Sequence, residues 1–235
     1  MQTIKEFQSE LIKDAEGMHS DSQLQDDAFN VLVRADRHRW IHQTNFAGIP
    51  ALQIPQDLFA IQEIIFRTKP QVIVELGVAW GGTTMFIESF HKGDIIGVDL
   101  QIPDHLRDET AFKGNIRFLI GDTILSAEVV KKFVGERTCM VIVDSMHTHE
   151  HVLDELNAFS GIVTQGCYII VCDTIVDDTR YHEDGKARSR PWGPGNSPRS
   201  ALNQFLDENH SFKRDEEIKN KLLFSCQPDG YIYKT

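Results

Sequence analysis

Acidic residues stand at the carboxyl ends of four successive predicted strands: Glu75, Asp99, Asp122 and Asp144. In an open α/β sheet, these strand ends form the edge at which ligands bind. Four carboxylates there would repel a pyrophosphate but attract a ligand that carries positive groups. S-adenosylmethionine carries a sulfonium and an ammonium, so the acids predict a site for this methyl donor. For any single acid, a helix cap or a solvated strand end is the alternative.

A glycine-rich turn follows the first of these strands, within the run Glu75-Leu-Gly-Val-Ala-Trp-Gly-Gly-Thr83. Glycines allow a backbone to approach a ligand closely just before a helix begins. The spacing matches neither the dinucleotide fingerprint GxGxxG nor a phosphate loop that ends in GK[ST]. A tight strand–helix turn without any ligand would also use such glycines.

We predict that Glu75 and the turn hold the amino-acid end of the donor. Asp99 then accepts hydrogen bonds from the ribose, and Asp122 lies at the adenine end. The complete set of predicted donor contacts is Glu75, Gly77, Trp80, Gly81, Gly82, Thr83, Asp99, Gly121, Asp122 and Asp144.

Histidines cluster after the fourth strand, in the run Asp144-Ser-Met-His-Thr-His-Glu-His151. Methyl transfer to a hydroxyl needs the acceptor oxygen in line with the sulfonium methyl and a group that takes the hydroxyl proton. Because imidazole takes a proton at neutral pH, we predict His147 as the general base and Asp144 as its catalytic neighbour. His149 and His151 are reserve candidates, and imidazoles that only hydrogen-bond at a helix N-terminus are the alternative.

The fifth predicted strand ends in Asp173, beside the end of the fourth. Asp144 and Asp173 could hold a divalent cation such as Mg²⁺, which prefers oxygen ligands and lowers the pKa of a bound hydroxyl. Two carboxylates are a minimal ligand set. A second interpretation is an iron site built from the histidines and Asp144, for which two imidazoles would have to converge.

A long polar segment follows Asp173, and we predict a lid over residues 174–197 because plain connections in compact domains are shorter. Cations surrounding an aromatic ring would suit a sugar face or an anionic acceptor. A solvated loop is the alternative, since nearby acids nearly balance the charge. The cations are Arg180, Lys186, Arg188, Arg190 and Arg199, the ring is Trp192, and the acids are Asp177, Asp178, Glu183 and Asp184.

Short β-branched apolar runs alternate with helical stretches through the middle of the chain. Runs without period-2 alternation are typical of strands buried on both faces of a parallel sheet. This order predicts an α/β, Rossmann-like, doubly wound and mostly parallel sheet. Predicted strands cover 72–76, 95–100, 116–122, 139–145 and 167–173, and predicted helices cover 56–67, 82–91, 126–134 and 149–162.

Less regular segments flank this core. Ser197 and Pro198 predict the start of a helix, and a C-terminal antiparallel hairpin is predicted from LLFSC (222–226) and YIYK (231–234) around the QPDG turn. A weak helical pattern marks the first residues. We therefore predict an N-terminal helical arm and cap over 1–67 and a catalytic domain over 68–235.

Composition excludes several classes of protein. The net charge of −11 argues against general nucleic-acid binding, which needs clustered Lys and Arg. No apolar run reaches the length of a membrane span, and the acidic N-terminus resembles neither a secretory signal nor a transit peptide. The cysteines Cys139, Cys167, Cys172 and Cys226 show no CxxC spacing and are expected to be reduced. These features predict a cytoplasmic protein with a small-molecule substrate.

From about Trp40 onward the chain resembles the cephalosporin hydroxylase-named family, which also contains rhamnosyl O-methyltransferases. The resemblance implies a class I methyltransferase fold, S-adenosylmethionine binding and, in some members, Mg²⁺. The motifs that carry it are GIP (48–50), QIPQD (53–57), QE (62–63), ELGVAWGG (75–82), DSMHTHEHVLDEL (144–156), VCDTIVDD (171–178) and RPWGPGNSPRSAL (190–202).

Carried over by position, the resemblance implies donor contacts at Glu75, Gly77, Gly81, Gly82 and Asp99, metal ligands at Asp144 and Asp173, and a base at His147. The chain departs from the family at two positions. Cys172 stands where some relatives have Glu, which removes an oxygen ligand, and Trp80 stands where relatives often carry a basic residue. The family is also similar to multi-subunit enzymes, which implies a homo-oligomer.

The residues together predict an O-methyltransferase that acts on a hydroxyl of a sugar or natural-product acceptor. Two other classes stay open at this point. One is an oxidoreductase that uses a nicotinamide or an iron centre, and the other is a non-catalytic binding protein on the same fold.

Overall fold

A computed structural model describes residues 2–107, 115–179 and 189–235. The α-helices are α1 (Ile4–Ser20), α2 (Ser22–Asp36), α3 (Pro55–Thr68), α4 (Gly82–Phe90), α5 (Ala127–Val134), α6 (His149–Phe159), α7 (Pro198–Glu208) and α8 (Glu216–Lys221). The strands are β1 (Asn45–Phe46), β2 (Ile49–Pro50), β3 (Val72–Leu76), β4 (Asp94–Asp99), β5 (Ile116–Ile120), β6 (Cys139–Val143), β7 (Tyr168–Val171), β8 (Phe212–Arg214) and β9 (Tyr231–Lys234).

The main sheet has seven strands in the order β5-β4-β3-β6-β7-β9-β8. Strands β3 to β7 run parallel, whereas β9 runs antiparallel to both β7 and β8. Strand order reverses between β3 and β6, and such a reversal opens a crevice at the carboxyl ends of the strands. The predicted doubly wound α/β fold is confirmed.

The predicted parallel strands and the helices between them are present, with ends that shift by a few residues. β3 ends at residue 76 as predicted, whereas β4 to β7 stop one or two residues earlier than predicted because their last residues turn into the loops at the sheet edge. Asp144 and Asp173 therefore follow β6 and β7 directly, outside the ladders. Ser197 caps α7 as predicted: its hydroxyl accepts a hydrogen bond from the Ser200 backbone N–H, and Pro198 is the first helical residue.

Apolar side chains from both faces of the sheet form one core, in which β3, β6 and β7 are buried along their whole length. Helix α3 packs into this core through Ile61 and Ile64, both fully buried. By contrast, α1 buries none of its residues, and α2 buries only Ala28 and Leu32. The division at residue 67 stays a prediction, although part of the proposed cap, α3, shares the sheet's core.

The predicted antiparallel pairing at the C-terminal end of the sheet is confirmed, but the predicted partner segment of β9 is wrong. β9 pairs with β8, and not with the 222–226 segment. That segment is held by a buried carboxylate on α3: Asp57 accepts hydrogen bonds from the Ser225 hydroxyl at 2.7 Å and the Cys226 N–H at 2.8 Å. Because these donors bond to Asp57, the segment is fixed beside α3 and does not join the sheet edge.

Within the described part of the chain, no helix is both long and apolar enough to span a bilayer.

Candidate functional site

A cleft of about 680 Å³ opens where the strand order reverses. Its floor comes from the ends of β3, β6 and β7, and its outer wall comes from α2, the segment after it and the 190–192 segment. Such a volume suits a small-molecule site. The described residues that line it include Leu32, Val33, Asp36, Arg39, His42, Pro50, Ala51, Glu75, Gly77, Trp80, Thr83, Asp144, Ser145, His147, Asp173, Arg190 and Trp192.

The glycines of the turn are required by the chain's own packing. A Cβ on Gly77 would lie 2.0 Å from the Asp144 carbonyl oxygen, and one on Gly82 would lie 2.3 Å from the Pro50 carbonyl oxygen. Gly77 also has a φ of +89°, which glycine adopts without strain. The Thr83 hydroxyl donates to the Ala51 carbonyl at 2.9 Å. The turn is thus locked between β6 and the 50–51 segment.

The turn's other predicted contacts lie nearer the surface. Gly81 has a φ of +85° and lies against Leu106, which a Cβ would meet at 2.5 Å. The Trp80 side chain is half exposed at the cleft, and its carbonyl accepts a hydrogen bond from His105 Nε2 at 3.0 Å. The Trp80 ring is therefore free to contact a ligand while its backbone is held.

Glu75 is buried at the base of the cleft, where its Oε2 accepts a hydrogen bond from the Thr84 hydroxyl. Burial raises the pKa of Glu75 to about 8, because an ion is poorly solvated there and Asp99 adds a like charge. A cationic ligand would reverse this effect by stabilising the carboxylate.

The remaining predicted donor contacts lie at neighbouring strand ends, outside the described lining of the cleft. Asp99 Oδ2 accepts hydrogen bonds from the Val78 and Ala79 N–H groups, at 2.8 and 3.0 Å. Asp122, the residue after Gly121, accepts a hydrogen bond at Oδ1 from the Leu125 N–H at 2.9 Å. Asp99 therefore ties the end of β4 to the glycine turn, and its ribose role stays a prediction.

Three side chains after β6 and β7 form a group that could hold a cation. One ligand atom each from Asp144, His147 and Asp173 lies within 4.8 Å of the others. Burial raises the pKa of Asp144 well above its ordinary value, with further contributions from Asp173 and Glu75. This arrangement fits a divalent cation, whose charge would offset the repulsion between the carboxylates.

His147 pairs directly with Asp173, as its Nε2 lies 3.1 Å from Asp173 Oδ2. The Trp192 ring meets the imidazole edge-on, with the ring centroids 4.9 Å apart. Asp173 has a φ of +53°, a conformation that is uncommon outside glycine and clusters at functional sites. A carboxylate and an aromatic ring thus orient the imidazole in the cleft.

The reserve histidines are held by other contacts. His149 Nδ1 lies 2.8 Å from the Ser200 hydroxyl and its Nε2 lies 3.0 Å from Gln204 Oε1, so the ring joins α6 to α7. His151 Nε2 lies 3.3 Å from Glu155 Oε1, and this hydrogen bond raises the pKa of His151. Both rings have structural partners, which leaves His147 as the histidine of the cleft after β6.

The two described parts of the predicted lid, residues 174–179 and 189–197, are joined by hydrogen bonds that form an anchor. Asp177 Oδ1 accepts hydrogen bonds from the Ser197 hydroxyl at 2.6 Å and the Gly195 N–H at 2.9 Å. Arg199 forms an ion pair with Asp178 at 2.7 Å, so this cation belongs to the anchor. Arg190 lies over Trp192, with its guanidinium carbon 5.3 Å from the ring centroid.

The other predicted lid charges, Arg180, Lys186, Arg188, Glu183 and Asp184, lie outside the described residues.

Sequence reasoning missed two groups of residues. The arm contributes Leu32, Val33 and Arg39 to the cleft wall, although its weak pattern indicated only a helix. Gln53 and Gln227 form a buried hydrogen-bonded pair beneath Asp144. The QIPQD motif was the available signal for Gln53, since a glutamine in an apolar setting needs polar partners.

The sheet order and the cleft at the strand reversal define a Rossmann-like methyltransferase fold. The Rhamnosyl O-methyltransferase/CmcI family model matches residues 38–235, and the chain belongs to this family of O-methyltransferases.

Curated relatives are similar over most of their length. A rhamnosyl O-methyltransferase of Mycobacterium tuberculosis (strain ATCC 25618 / H37Rv) is 23% identical over 217 residues, which covers 86% of this chain and 85% of the relative. One of Mycobacterium leprae (strain TN) is 23% identical over 220 residues, covering 86% and 90%.

Among solved structures, apo CmcI-N160 aligns with a TM-score of 0.58 at 20% identity over 83% of this chain and 77% of that chain. CmcI-D160 with Mg and SAM aligns with a TM-score of 0.56 at 21% identity over the same shares. These likenesses confirm the fold.

Proposed function

We propose that this protein transfers a methyl group from S-adenosylmethionine to a hydroxyl of a sugar or natural-product acceptor, assisted by a divalent cation. The observation that carries the proposal is the meeting of the glycine turn, Asp144, His147 and Asp173 in one cleft of a methyltransferase-family chain. The curated relatives are named rhamnosyl O-methyltransferases, which favours a sugar hydroxyl.

The donor side of the cleft is the turn after β3. Glu75 and the turn backbone face the amino-acid end of the donor, where a carboxylate would attract the ammonium and the sulfonium. Asp99 at the end of β4 is the proposed ribose contact, and Gly121 with Asp122 is the proposed adenine contact. These roles rest on strand order, since the switch point of such a sheet places a nucleotide across these ends.

The chemical step is a displacement at the methyl carbon. The acceptor oxygen forms a bond to that carbon as the carbon–sulfur bond breaks, and the products are a methyl ether and S-adenosylhomocysteine. His147 takes the hydroxyl proton, and Asp173 stabilises the resulting imidazolium across their 3.1 Å contact. Trp192 limits the rotation of the imidazole, so the base is held in one orientation.

The cation would be held by Asp144 and Asp173. His147 lies within 4.8 Å of both but would stay unligated, since a metal-bound imidazole nitrogen could not accept the hydroxyl proton. The cation would lower the pKa of a bound acceptor hydroxyl and fix its direction. CmcI-D160 was solved with Mg and SAM, which supports a cation of this type. The Cys172 sulfur lies 3.8 Å from Gln53 Nε2, so the thiol has its own partner beside the site.

The acceptor side is the wall formed by the arm and the 190–192 segment. Arg39, His42 and Arg190 provide donors there, and Trp192 provides an aromatic ring. Polar donors beside an aromatic ring suit a sugar. A nicotinamide- or iron-dependent oxidoreductase is not favoured, since the family consists of methyltransferases and the turn lacks the GxGxxG spacing. From the sequence we also propose that the protein is cytoplasmic and forms a homo-oligomer.

The test begins with calorimetric binding of S-adenosylhomocysteine to the purified chain. Saturable binding at one site is expected, together with methyl transfer to a rhamnosyl or related sugar from labelled donor. His147→Ala should lower turnover by about 10²- to 10⁴-fold while it leaves product affinity within a few-fold. His149→Ala is the matched control and should keep turnover per folded molecule. A wild-type chain without affinity for S-adenosylhomocysteine would refute the proposal.

A further inference from the structure

The most enclosed polar contact beneath the cleft joins two glutamines to Asp144. Gln53 is 2% exposed and Gln227 is 0% exposed. Gln53 Nε2 donates to Asp144 Oδ2 at 2.9 Å, and Gln53 Oε1 accepts from Gln227 Nε2 at 2.5 Å. Burying two carboxamides costs free energy unless their polar atoms form hydrogen bonds. The bond to Asp144 offsets part of this cost.

The direction of each amide follows from its partner. A carboxylate oxygen only accepts, so the amino end of Gln53 faces Asp144 Oδ2. The carbonyl end of Gln53 then faces Gln227, whose amino group donates to it. By satisfying the Gln53 carbonyl, Gln227 favours the orientation in which Gln53 donates to Asp144.

The backbone of Gln227 is fixed through Ser225 to α3. Its backbone N–H donates to the Ser225 hydroxyl at 2.9 Å, and that hydroxyl donates to Asp57 Oδ1 at 2.7 Å. Asp57 lies on the same short motif as Gln53, and it also accepts from Tyr231 at 2.8 Å. The QIPQD motif thus supplies both the residue that contacts Asp144 and the residue that anchors the C-terminal segment behind it.

A neutral side chain suits this position better than a charged one. Asp144 already lies near Glu75 and Asp173, so another acid beneath it would add repulsion. A lysine or arginine would neutralise Asp144 and compete with a cation for it. A carboxamide engages one oxygen, Oδ2, and directs the other toward the cleft without a change in net charge.

We propose that Gln53, oriented by Gln227, is a positioning residue that presents Asp144 Oδ1 to the divalent cation in the cleft. The role rests on the proposed function because it needs a cation at Asp144 and Asp173. Gln53 acts through Asp144 and does not contact the reacting atoms.

The test measures cation affinity separately from folding and from donor-side binding. Mn²⁺ is the probe, followed by electron paramagnetic resonance, with S-adenosylhomocysteine affinity by calorimetry and melting temperature recorded for each variant. Gln53→Met removes the donor and keeps the bulk. We expect Mn²⁺ affinity to fall about tenfold or more, which is a change of about 1.4 kcal/mol, with S-adenosylhomocysteine affinity within about twofold.

Gln227→Met is the sharper variant, since it removes the group that donates to Gln53 Oε1, and no described hydrogen bond joins Gln227 to Asp144. It should weaken Mn²⁺ binding about threefold. Gln227→Glu is its companion: a buried glutamate that keeps its proton still donates to Gln53 Oε1, so this variant should retain more Mn²⁺ affinity than Gln227→Met. Gln56→Met is the matched control, because Gln56 belongs to the same motif but is exposed, and its Oε1 accepts a hydrogen bond from the Phe224 N–H instead of contacting Asp144.

The outcomes separate the two proposals. A wild-type chain that binds neither Mn²⁺ nor S-adenosylhomocysteine contradicts the proposed function itself. A wild-type chain that binds both, with folded Gln53→Met and Gln227→Met variants that bind Mn²⁺ as tightly as wild type, overturns the positioning role alone. Loss of Mn²⁺ affinity in these variants but not in Gln56→Met supports it.

Discussion

Asp173 combines an uncommon backbone conformation with two chemical tasks. Its φ of +53° places the carboxylate within 3.1 Å of His147, and the same group is a proposed cation ligand. Left-handed geometry at a non-glycine residue has an energetic cost that the surrounding structure must offset. The left-handed backbone of Asp173 is therefore better explained by a functional role of its carboxylate than by the local turn alone.

Asp173→Asn tests this residue without disturbing the backbone, because Asn adopts the left-handed region readily. We expect turnover to fall about 10²-fold or more, since the imidazolium loses its counter-charge and the cation loses a ligand. Steady-state kinetics with labelled donor would measure the fall. Asp178→Asn, in the anchor, is the control, and comparable losses in both variants would contradict the assignment.

Glu75 makes stability depend on pH in a defined direction. The folded chain keeps the Glu75 proton up to about pH 8, whereas the unfolded chain releases it near the ordinary value of 4.5. The free energy of unfolding should therefore fall by about 1.4 kcal/mol per pH unit between these values, and this contribution should level off above them. Above about pH 8, Glu75 is ionised in both the folded and the unfolded chain, so it contributes no further loss of stability.

Glu75→Gln should reduce the fall of the free energy of unfolding with pH, because an amide does not titrate. Its oxygen can still accept a hydrogen bond from the Thr84 hydroxyl. Urea unfolding at pH 5.5 and pH 8.5 would show the variant gaining stability relative to wild type at the higher pH. Glu128→Gln, on the exposed face of α5, should leave the slope unchanged. An identical slope in wild type and Glu75→Gln would show that Glu75 ionises normally.

At the scale of elements, the meeting of β3 and β6 depends on Gly77. A methyl group there would overlap the Asp144 carbonyl oxygen, and the φ of +89° would strain any other residue. Gly77→Ala should lower the free energy of unfolding by about 2 kcal/mol or more and weaken S-adenosylhomocysteine binding.

Gly161→Ala is the matched control, since a Cβ at this position would meet no atom of the described residues within 4 Å and its φ is ordinary. It should change stability by less than about 0.5 kcal/mol. Chemical denaturation and calorimetry measure both effects. Equal behaviour of the two alanine variants would mean that the turn can relax away from β6.

The sheet was predictable because its strands are short, continuous apolar runs, whereas an amphipathic helix would alternate apolar and polar residues with a helical period. The acids at their ends were predictable for the same reason, since strand order alone brings Asp144 beside Asp173. The hairpin partner was not predictable: the 222–226 run is as apolar as a strand, but its Phe224 and Cys226 N–H groups donate to Gln56 and Asp57, which lie far away along the chain. Gln227 was missed because its partner Gln53 lies far away along the chain.

At the scale of the whole molecule, the arm and the sheet contribute different halves of the cleft. Leu32 on α2 packs with Ile54, Ile175 and Cys226 in a small apolar cluster beside the main core. This cluster holds α2 over the opening, so the arm serves as a wall of the site. The proposed donor-side residues come from strand ends and the turn after β3.

Val33→Arg should therefore obstruct the acceptor side alone. We expect the KM for the acceptor to rise about tenfold or more, while S-adenosylhomocysteine affinity stays within about twofold. Val31→Arg is the control, because Val31 is exposed on the same helix and does not belong to the described cleft lining. Equal KM values for the two variants would show that α2 does not border the acceptor.

The wall formed by α2 and the 190–192 segment lies outside the seven-stranded sheet. Substitutions at Val33, Arg39 or Arg190 can thus reshape the acceptor space without loosening the strands that carry the acids. Selection can retune which alcohol is methylated in a lineage while the catalytic machinery is inherited unchanged. Mutagenesis aimed at new acceptors should begin on this wall.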